Sequence, residues 1–209
     1  MNEKYSAILG LNPSKGARSP KLWNKVYRKI SLNERMIPID ILQKNFKKKF
    51  KLLKIDKNFL GGAVTTPYKE TTFKALDTIK DKRIKLIGAV NCLYRNKKNK
   101  LVGTNTDGEA SLEVFKNEIK NKKINKLKNF AILGYGGAGK AVVAYFSSYY
   151  KNSKIIVFVR KKRNKNFKNV YFIKFKDFNK HVDKINAIIN CTSVGFMNKK
   201  SPLTDFQVS

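Results

Sequence analysis

An α/β fold in two parts is predicted by three features of this 209-residue sequence. Short apolar runs of strand length alternate with segments of helical periodicity along the chain. The character of the sequence changes near residues 106–109; beyond a lysine- and asparagine-rich stretch at 117–128 lie four buried-type strands. Between the first of these strands and a strong helical segment sits a glycine-rich turn at residues 134–139.

Residues 4–9 read as a strand running into a Gly/Asn/Pro loop. A helix is predicted over 19–30, with Ser19 as N-cap, Pro20 just inside and Leu22, Val26 and Ile30 at helical spacing. Residues 36–39 form a short apolar run, 41–53 an amphipathic helix and 71–79 a further helix. Two strands, 87–94 and 100–103, flank a polar turn. In the second half, strands are predicted at 129–133, 155–159, 170–173 and 187–190, with helices at 139–149 and 175–182. This succession suggests a parallel sheet with helices on its faces.

A hydrophobic content of 42% supports real cores and excludes wholesale disorder. The formal net charge of +32 favours anionic ligands. Its source is lysine spread along the whole chain, with runs at 47–49, 97–100 and 161–163, whereas a dedicated nucleic-acid surface concentrates arginine and aromatics in one stripe. Two cysteines, Cys92 and Cys191, and a single histidine, His181, give no metal-ligand spacing. Few cysteines and no signal peptide fit a cytoplasmic protein, and no apolar run reaches membrane-spanning length.

The turn Gly134-Tyr135-Gly136-Gly137-Ala138-Gly139 satisfies GxGxxG. Its first glycine permits the tight turn, its second lets backbone approach a pyrophosphate, and its third lets helix and strand pack closely. The helix that follows offers unpaired N–H groups to that phosphate. This is the signature of a Rossmann-type dinucleotide-binding domain, set against the plainer reading of an ordinary glycine-rich turn. An NAD site would place an acid about 20 residues on. The sequence there is Val159-Arg160-Lys161-Lys162-Arg163, which suits the 2′-phosphate of NADP and is equally the composition of a solvated basic loop. Arg160 is the first choice for the phosphate, because guanidinium can also stack on adenine.

Six segments resemble the shikimate dehydrogenase family in order and spacing. Asn12-Pro13 followed by Arg18-Ser19-Pro20 resembles its amino-terminal NPIxHSxSP loop. The run from Gly61 through Val64-Thr65-Thr66-Pro67-Tyr68-Lys69-Glu70 resembles GxNVTxPxKE. Ile87-Gly88-Ala89-Val90-Asn91-Cys92-Leu93 is similar to IGAVNTL, and Gly103-Thr104-Asn105-Thr106-Asp107-Gly108 to GxNTDG. The glycine loop resembles GxGGAxxA, and Asn190-Cys191-Thr192-Ser193-Val194-Gly195 resembles NxTSxG.

The resemblance implies a substrate-binding catalytic domain at 1–107 and an NADP-binding Rossmann-like domain at 108–209, the second carboxy-terminally truncated, facing each other across a cleft. It implies NADPH-dependent reduction of 3-dehydroshikimate to shikimate in aromatic amino-acid (chorismate) biosynthesis, by a monomer or homodimer. Lys69 and Asp107 fall on the catalytic pair. Ser19, Thr65, Asn91 and Asp107 fall on substrate-binding positions, and Gly134, Gly136, Gly137, Ala138, Gly139 and Thr192 on cofactor-binding ones, to which the reading of the second strand's end adds Arg160.

Those residue types suit the chemistry, since an alkoxide left by hydride transfer needs a proton that a lysine can give and an aspartate can orient. Outside the motif, Lys69 is one lysine among many, Asp107 a helix-starting aspartate, and Asn91 a strand-end turn former. The pattern breaks where the family's HS is Gly16-Ala17 and its GxN asparagine is Ala63. A lost hydrogen bond to a charged group costs roughly 1.5–3 kcal/mol. Two alternatives stay open: a nucleotide-binding family member with altered substrate or lost catalysis, and a basic nucleic-acid-associated protein.

Overall fold

The computed structural model describes residues 3–80, 82–122, 127–161, 167–195 and 200–203. The chain divides into two compact units, Met1–Thr106 and Asp107–Ser209.

The first unit contains β1 (Tyr5–Gly10), α1 (Ser19–Lys29), β2 (Arg35–Asp40), α2 (Phe46–Ile55), β3 (Phe59–Val64), α3 (Lys69–Ala75), β4 (Thr78–Ile79), α4 (Lys82–Ile87), β5 (Cys92–Arg95) and β6 (Leu101–Thr104). Its sheet has the order β2-β1-β3-β5-β6-β4. β1 is parallel to β2 and β3, β5 is antiparallel to both β3 and β6, and β4 is parallel to β6. The carboxyl ends of five strands and the amino end of β5 therefore share one edge. β3 is squeezed between its neighbours: a Cβ on Gly62 would lie 2.0 Å from the Ala7 carbonyl oxygen, and one on Gly61 2.2 Å from that of Leu93. Both glycines have positive φ, +134° and +126°, where a side chain is disfavoured in any case.

One side chain closes the far end of this sheet. The Arg95 guanidinium donates to the carbonyls of Leu53 (3.1 Å), Lys54 (3.0 Å), Asp56 (2.9 Å), Phe59 (3.0 Å) and Asn99 (3.0 Å). Leu53, Lys54 and Asp56 bring the carbonyls that the end of α2 leaves unpaired. Five rigidly forked donors answer them in a geometry lysine cannot copy.

The second unit contains α5 (Asp107–Asn121), β7 (Asn129–Leu133), α6 (Gly137–Tyr149), β8 (Lys154–Val159), β9 (Val170–Lys174) and β10 (Ala187–Asn190). Its four strands, ordered β10-β7-β8-β9, are all parallel. Alternation along β7 splits the core between two faces. Phe130 and Ile132 pack with Val142, Val143 and Phe146 of α6, whereas Ala131 and Leu133 pack with Ile156, Phe158 and Phe178. α5 lies on α6 at Gly108, where an added Cβ would come within 2.5 Å of the Ala141 carbonyl oxygen.

Several boundaries differ from the sequence reading. Residues 82–87 form α4, which stops at Gly88 (φ +65°), so the strand expected from 87 begins only at Cys92. The helix expected over 71–79 starts earlier and ends at Ala75, because Thr78 and Ile79 pair with β6. The helix expected over 41–53 is a 3-10 turn, Gln43–Asn45, followed by α2, and the one over 175–182 consists of 3-10 turns. Ser19 is the first residue of α1 rather than its cap, and Arg18 at the cap position makes no side-chain cap bond. α5 is not among the predicted elements, although Asp107 reads as a possible helix start: its buried positions include a glycine, and lysine and asparagine fill its second half.

Replacing Arg95 with Ala should lower the stability of the first unit by roughly 3 kcal/mol, since four partly buried carbonyls lose a charged donor. Arg95→Lys should recover only part of that. Urea unfolding followed through Trp23, the sole tryptophan, measures both; an unchanged midpoint for Arg95→Ala contradicts this account of the sheet's closure.

Candidate active site and dinucleotide loop

Lys69 opens α3, and its position is fixed by the residue before it. Tyr68 is 1% exposed, stacks on Phe46 of α2 with ring centroids 4.4 Å apart, and donates its hydroxyl to the Ile41 carbonyl. Burial raises the Tyr68 pKa, so the hydroxyl stays a donor. The Tyr68 N–H donates to the Thr65 carbonyl, and the Val90 N–H donates to the Lys69 carbonyl (both 2.9 Å). Thr65 continues β3 past its end, donating its N–H to Leu9 (2.9 Å), with its methyl lying over Gly10. Thr65, Lys69 and Asn91 thus gather at the carboxyl edge of the first sheet.

Asn91 ties that edge to the segment carrying the last candidate residue. Its Oδ1 accepts the Thr106 N–H (2.9 Å), and its Nδ2 donates to Thr106 Oγ1 (3.1 Å). Its backbone N–H donates to the Thr104 carbonyl (3.1 Å). Beside it Asn105, 2% exposed, donates Nδ2 to the Ala89 carbonyl (3.0 Å). Asp107 follows Thr106 directly and begins α5, a helix N-terminus that favours negative charge.

Ser19 stands at the start of α1, after the loop that leaves β1. That loop is clamped by a residue the sequence reading did not single out. Asp40, last in β2 and in register with Gly10, accepts the Ser14 N–H (2.9 Å) and the Ser14 hydroxyl (2.5 Å). These bonds, with a smaller contribution from the Lys15 charge, hold the exposed Asp40 carboxyl below its ordinary pKa. No sequence signal connects the pair, because 26 residues separate them.

The second unit carries the glycine loop at the carboxyl edge of its own sheet. Gly134 has φ +91°, and a Cβ there would lie 2.9 Å from the Thr192 methyl. A Cβ on Gly139 would come within 2.3 Å of the Gly134 carbonyl oxygen, so turn and helix touch backbone to backbone. Around Gly136 nothing lies within 4 Å of the position a Cβ would take, leaving its backbone open to a ligand. α6 starts at Gly137, Ala138 follows, and no acid stands in its first turn. A pyrophosphate fits this cradle: open backbone and a helix N-terminus with no acid in its first turn.

Arg160 is exposed directly after β8. Lys162 and Arg163 of the same basic run lie outside the described residues. Thr192 donates its hydroxyl to Asn190 Oδ1 (2.7 Å) and accepts the Val194 N–H (3.2 Å), so it shapes the turn after β10 while its methyl covers Gly134. The neighbouring Cys191 thiol is pushed up to about 11, chiefly by burial and secondly by the Asp107 charge. That influence places Asp107 near the carboxyl end of β10. Both cysteines are free thiols. Among the described residues no His, Cys, Asp and Glu group could hold a metal ion, and no helix is long and apolar enough to cross a membrane.

The family model of the shikimate dehydrogenase substrate binding domain matches residues 9–93. The shikimate dehydrogenase (NADP(+)) of Alkaliphilus oremlandii is 31% identical over 206 residues, covering 92% of this chain and 69% of that protein. The chain belongs to the shikimate dehydrogenase family. A second member, from Pyrococcus furiosus, is 33% identical over 202 residues, covering 95% of this chain and 70% of its own length. Among solved structures, shikimate dehydrogenase 1 of Peptoclostridium difficile superposes with a TM-score of 0.76 at 30% identity, over 96% of this chain and 72% of that one. A family member solved with NADP+ gives 0.77 at 29% identity, over 96% and 71%.

The clamp on the β1 loop is sensitive to acid in a calculable direction. A carboxyl whose folded pKa is depressed contributes above its unfolded pKa and ceases to as pH falls through the folded value. The Ser14 amide resonance should therefore titrate with a midpoint below about 3.9, the ordinary aspartate value. Replacing Asp40 with Asn should abolish that titration, and a midpoint at or above 3.9 would rule the clamp out.

Proposed function

We propose that this protein is an NADP-dependent oxidoreductase that reduces 3-dehydroshikimate to shikimate, in aromatic amino-acid biosynthesis. The observation that carries the reading is the meeting of Thr65, Lys69 and Asn91 at one sheet edge, with Asn91 holding the residue before Asp107. Family membership and the NADP(+)-named relatives support the coenzyme and reaction class. We assign the substrate-binding catalytic domain to 1–107 and the coenzyme domain to 108–209.

In this reading Gly134, Gly136, Gly137, Ala138 and Gly139 take the pyrophosphate, Arg160 the 2′-phosphate, and Thr192 the loop's far wall. The reduced nicotinamide, when bound, supplies a hydride. Lys69 delivers a proton from its ammonium to the oxygen of the reduced carbonyl. Asp107 orients that ammonium and accepts a substrate hydroxyl. Ser19 and Thr65 bind the carboxylate and hydroxyls of the substrate. Asn91 can meet a hydroxyl, but its amide is engaged on Thr106, so its first task is to hold residues 106 and 107 in place.

Gly16 and Ala17 favour a second reading with the same chemistry on another cyclic hydroxy acid. The family's first serine is absent, and the Ala17 N–H merely closes a turn onto the Pro13 carbonyl (3.0 Å). Steady-state NADPH oxidation with 3-dehydroshikimate decides between them. The expected result is turnover that falls roughly 10²–10⁴-fold in Lys69→Ala, the usual worth of a general acid, with coenzyme affinity retained. Full activity in Lys69→Ala removes the assigned proton donor. Coenzyme binding without turnover on 3-dehydroshikimate favours the other substrate.

A further inference from the structure

We infer that Lys174, on the third strand of the second unit, is a further selector for the coenzyme's 2′-phosphate; the inference rests on the dinucleotide reading above. Val159 and Lys174 are register partners on β8 and β9. Arg160 follows Val159 immediately, and neighbouring strands lie only about 4.8 Å apart. The two cations thus leave adjacent strands at the same end.

The direction of Lys174 follows from its strand. Val170 and Phe172 pack into the cluster beneath α6, whereas Ile173 packs into the opposite cluster. Residues two apart on a strand share a face, so Lys174 leaves on the face of Phe172. Phe172 meets Tyr135 of the glycine loop edge-on, with ring centroids 4.8 Å apart. Lys174 is therefore the next residue on that face beyond the one touching the loop, at the edge where the loop opens.

Among the described residues, the surroundings leave its charge available. Lys174 lines a cavity of about 390 Å³ with Phe172, Ile173, Lys176 and Asp177. Asp177, the acid there, is paired with Lys180 at 2.9 Å. A phosphate monoester at this edge would meet a planar forked donor from Arg160 and a compact point charge from Lys174, two complementary modes of anion binding. A ribose hydroxyl carries no charge and gains little from the second cation, so Lys174 acts on the choice between NADP and NAD rather than on dinucleotide binding in general.

Calorimetric titration of the full chain with NADP+ and with NAD+ at one fixed ionic strength tests this. Lys174→Ala should weaken NADP+ about five- to tenfold and leave NAD+ within twofold, with Lys174→Arg keeping the preference. Lys168→Ala removes the same charge from the opposite end of β9 and should change neither affinity. Unchanged NADP+ binding in Lys174→Ala overturns the assignment, as does an equal loss for both coenzymes. A wild-type chain that takes neither coenzyme overturns the dinucleotide reading itself, and Lys174 with it.

Discussion

One side-chain amide holds the candidate site together. Asn91 stands between Lys69, whose carbonyl accepts the neighbouring Val90 N–H, and Thr106, whose N–H and hydroxyl both meet the Asn91 amide. The amide adds to two other ties on this segment, the Asn91 N–H on the Thr104 carbonyl and the Asn105 side chain on the Ala89 carbonyl. The remaining geometry follows from this constraint. Mixed pairing brings five carboxyl ends and one amino end to a single edge, Tyr68 fixes the start of α3 there, and the amide fixes where the chain departs toward Asp107.

The second unit depends on a different restriction, the absence of side chains. Turn and helix can touch at Gly134 and Gly139 only because a hydrogen stands where a methyl would overlap backbone, while Gly136 keeps its surroundings clear. A parallel sheet buried on both faces then points every loop that matters to one end. The high positive charge acts over this scaffold as a general attraction for anions. The proposed selectivity rests on where that charge is placed in register, beside the ends of β8 and β9.

How much of this was legible in the sequence depended on the range of the interactions involved. β7, β8 and α6 were read correctly because their apolar patterns are local and strong. α5 escaped because its buried stripe runs through Gly108 and its tail is lysine and asparagine. β4 escaped because two residues become a strand only through pairing with β6. The candidate residues came from motifs, which give positions more directly than roles. Asn91 admitted two readings, polyol ligand or turn former, and its amide is engaged on Thr106. Asp40 and Lys174 carried no local signal, since each acquires meaning from a partner on another strand or loop.

The central claim is that Lys69 and Asp107 act on one proton as a unit. A double-mutant cycle on kcat/KM, with Lys69→Ala, Asp107→Ala and the combination, tests it most directly. Residues that work as a unit give grossly non-additive losses, so the double variant should be scarcely worse than the poorer single one. If the two losses instead multiply, the residues act independently and the account of the site is wrong.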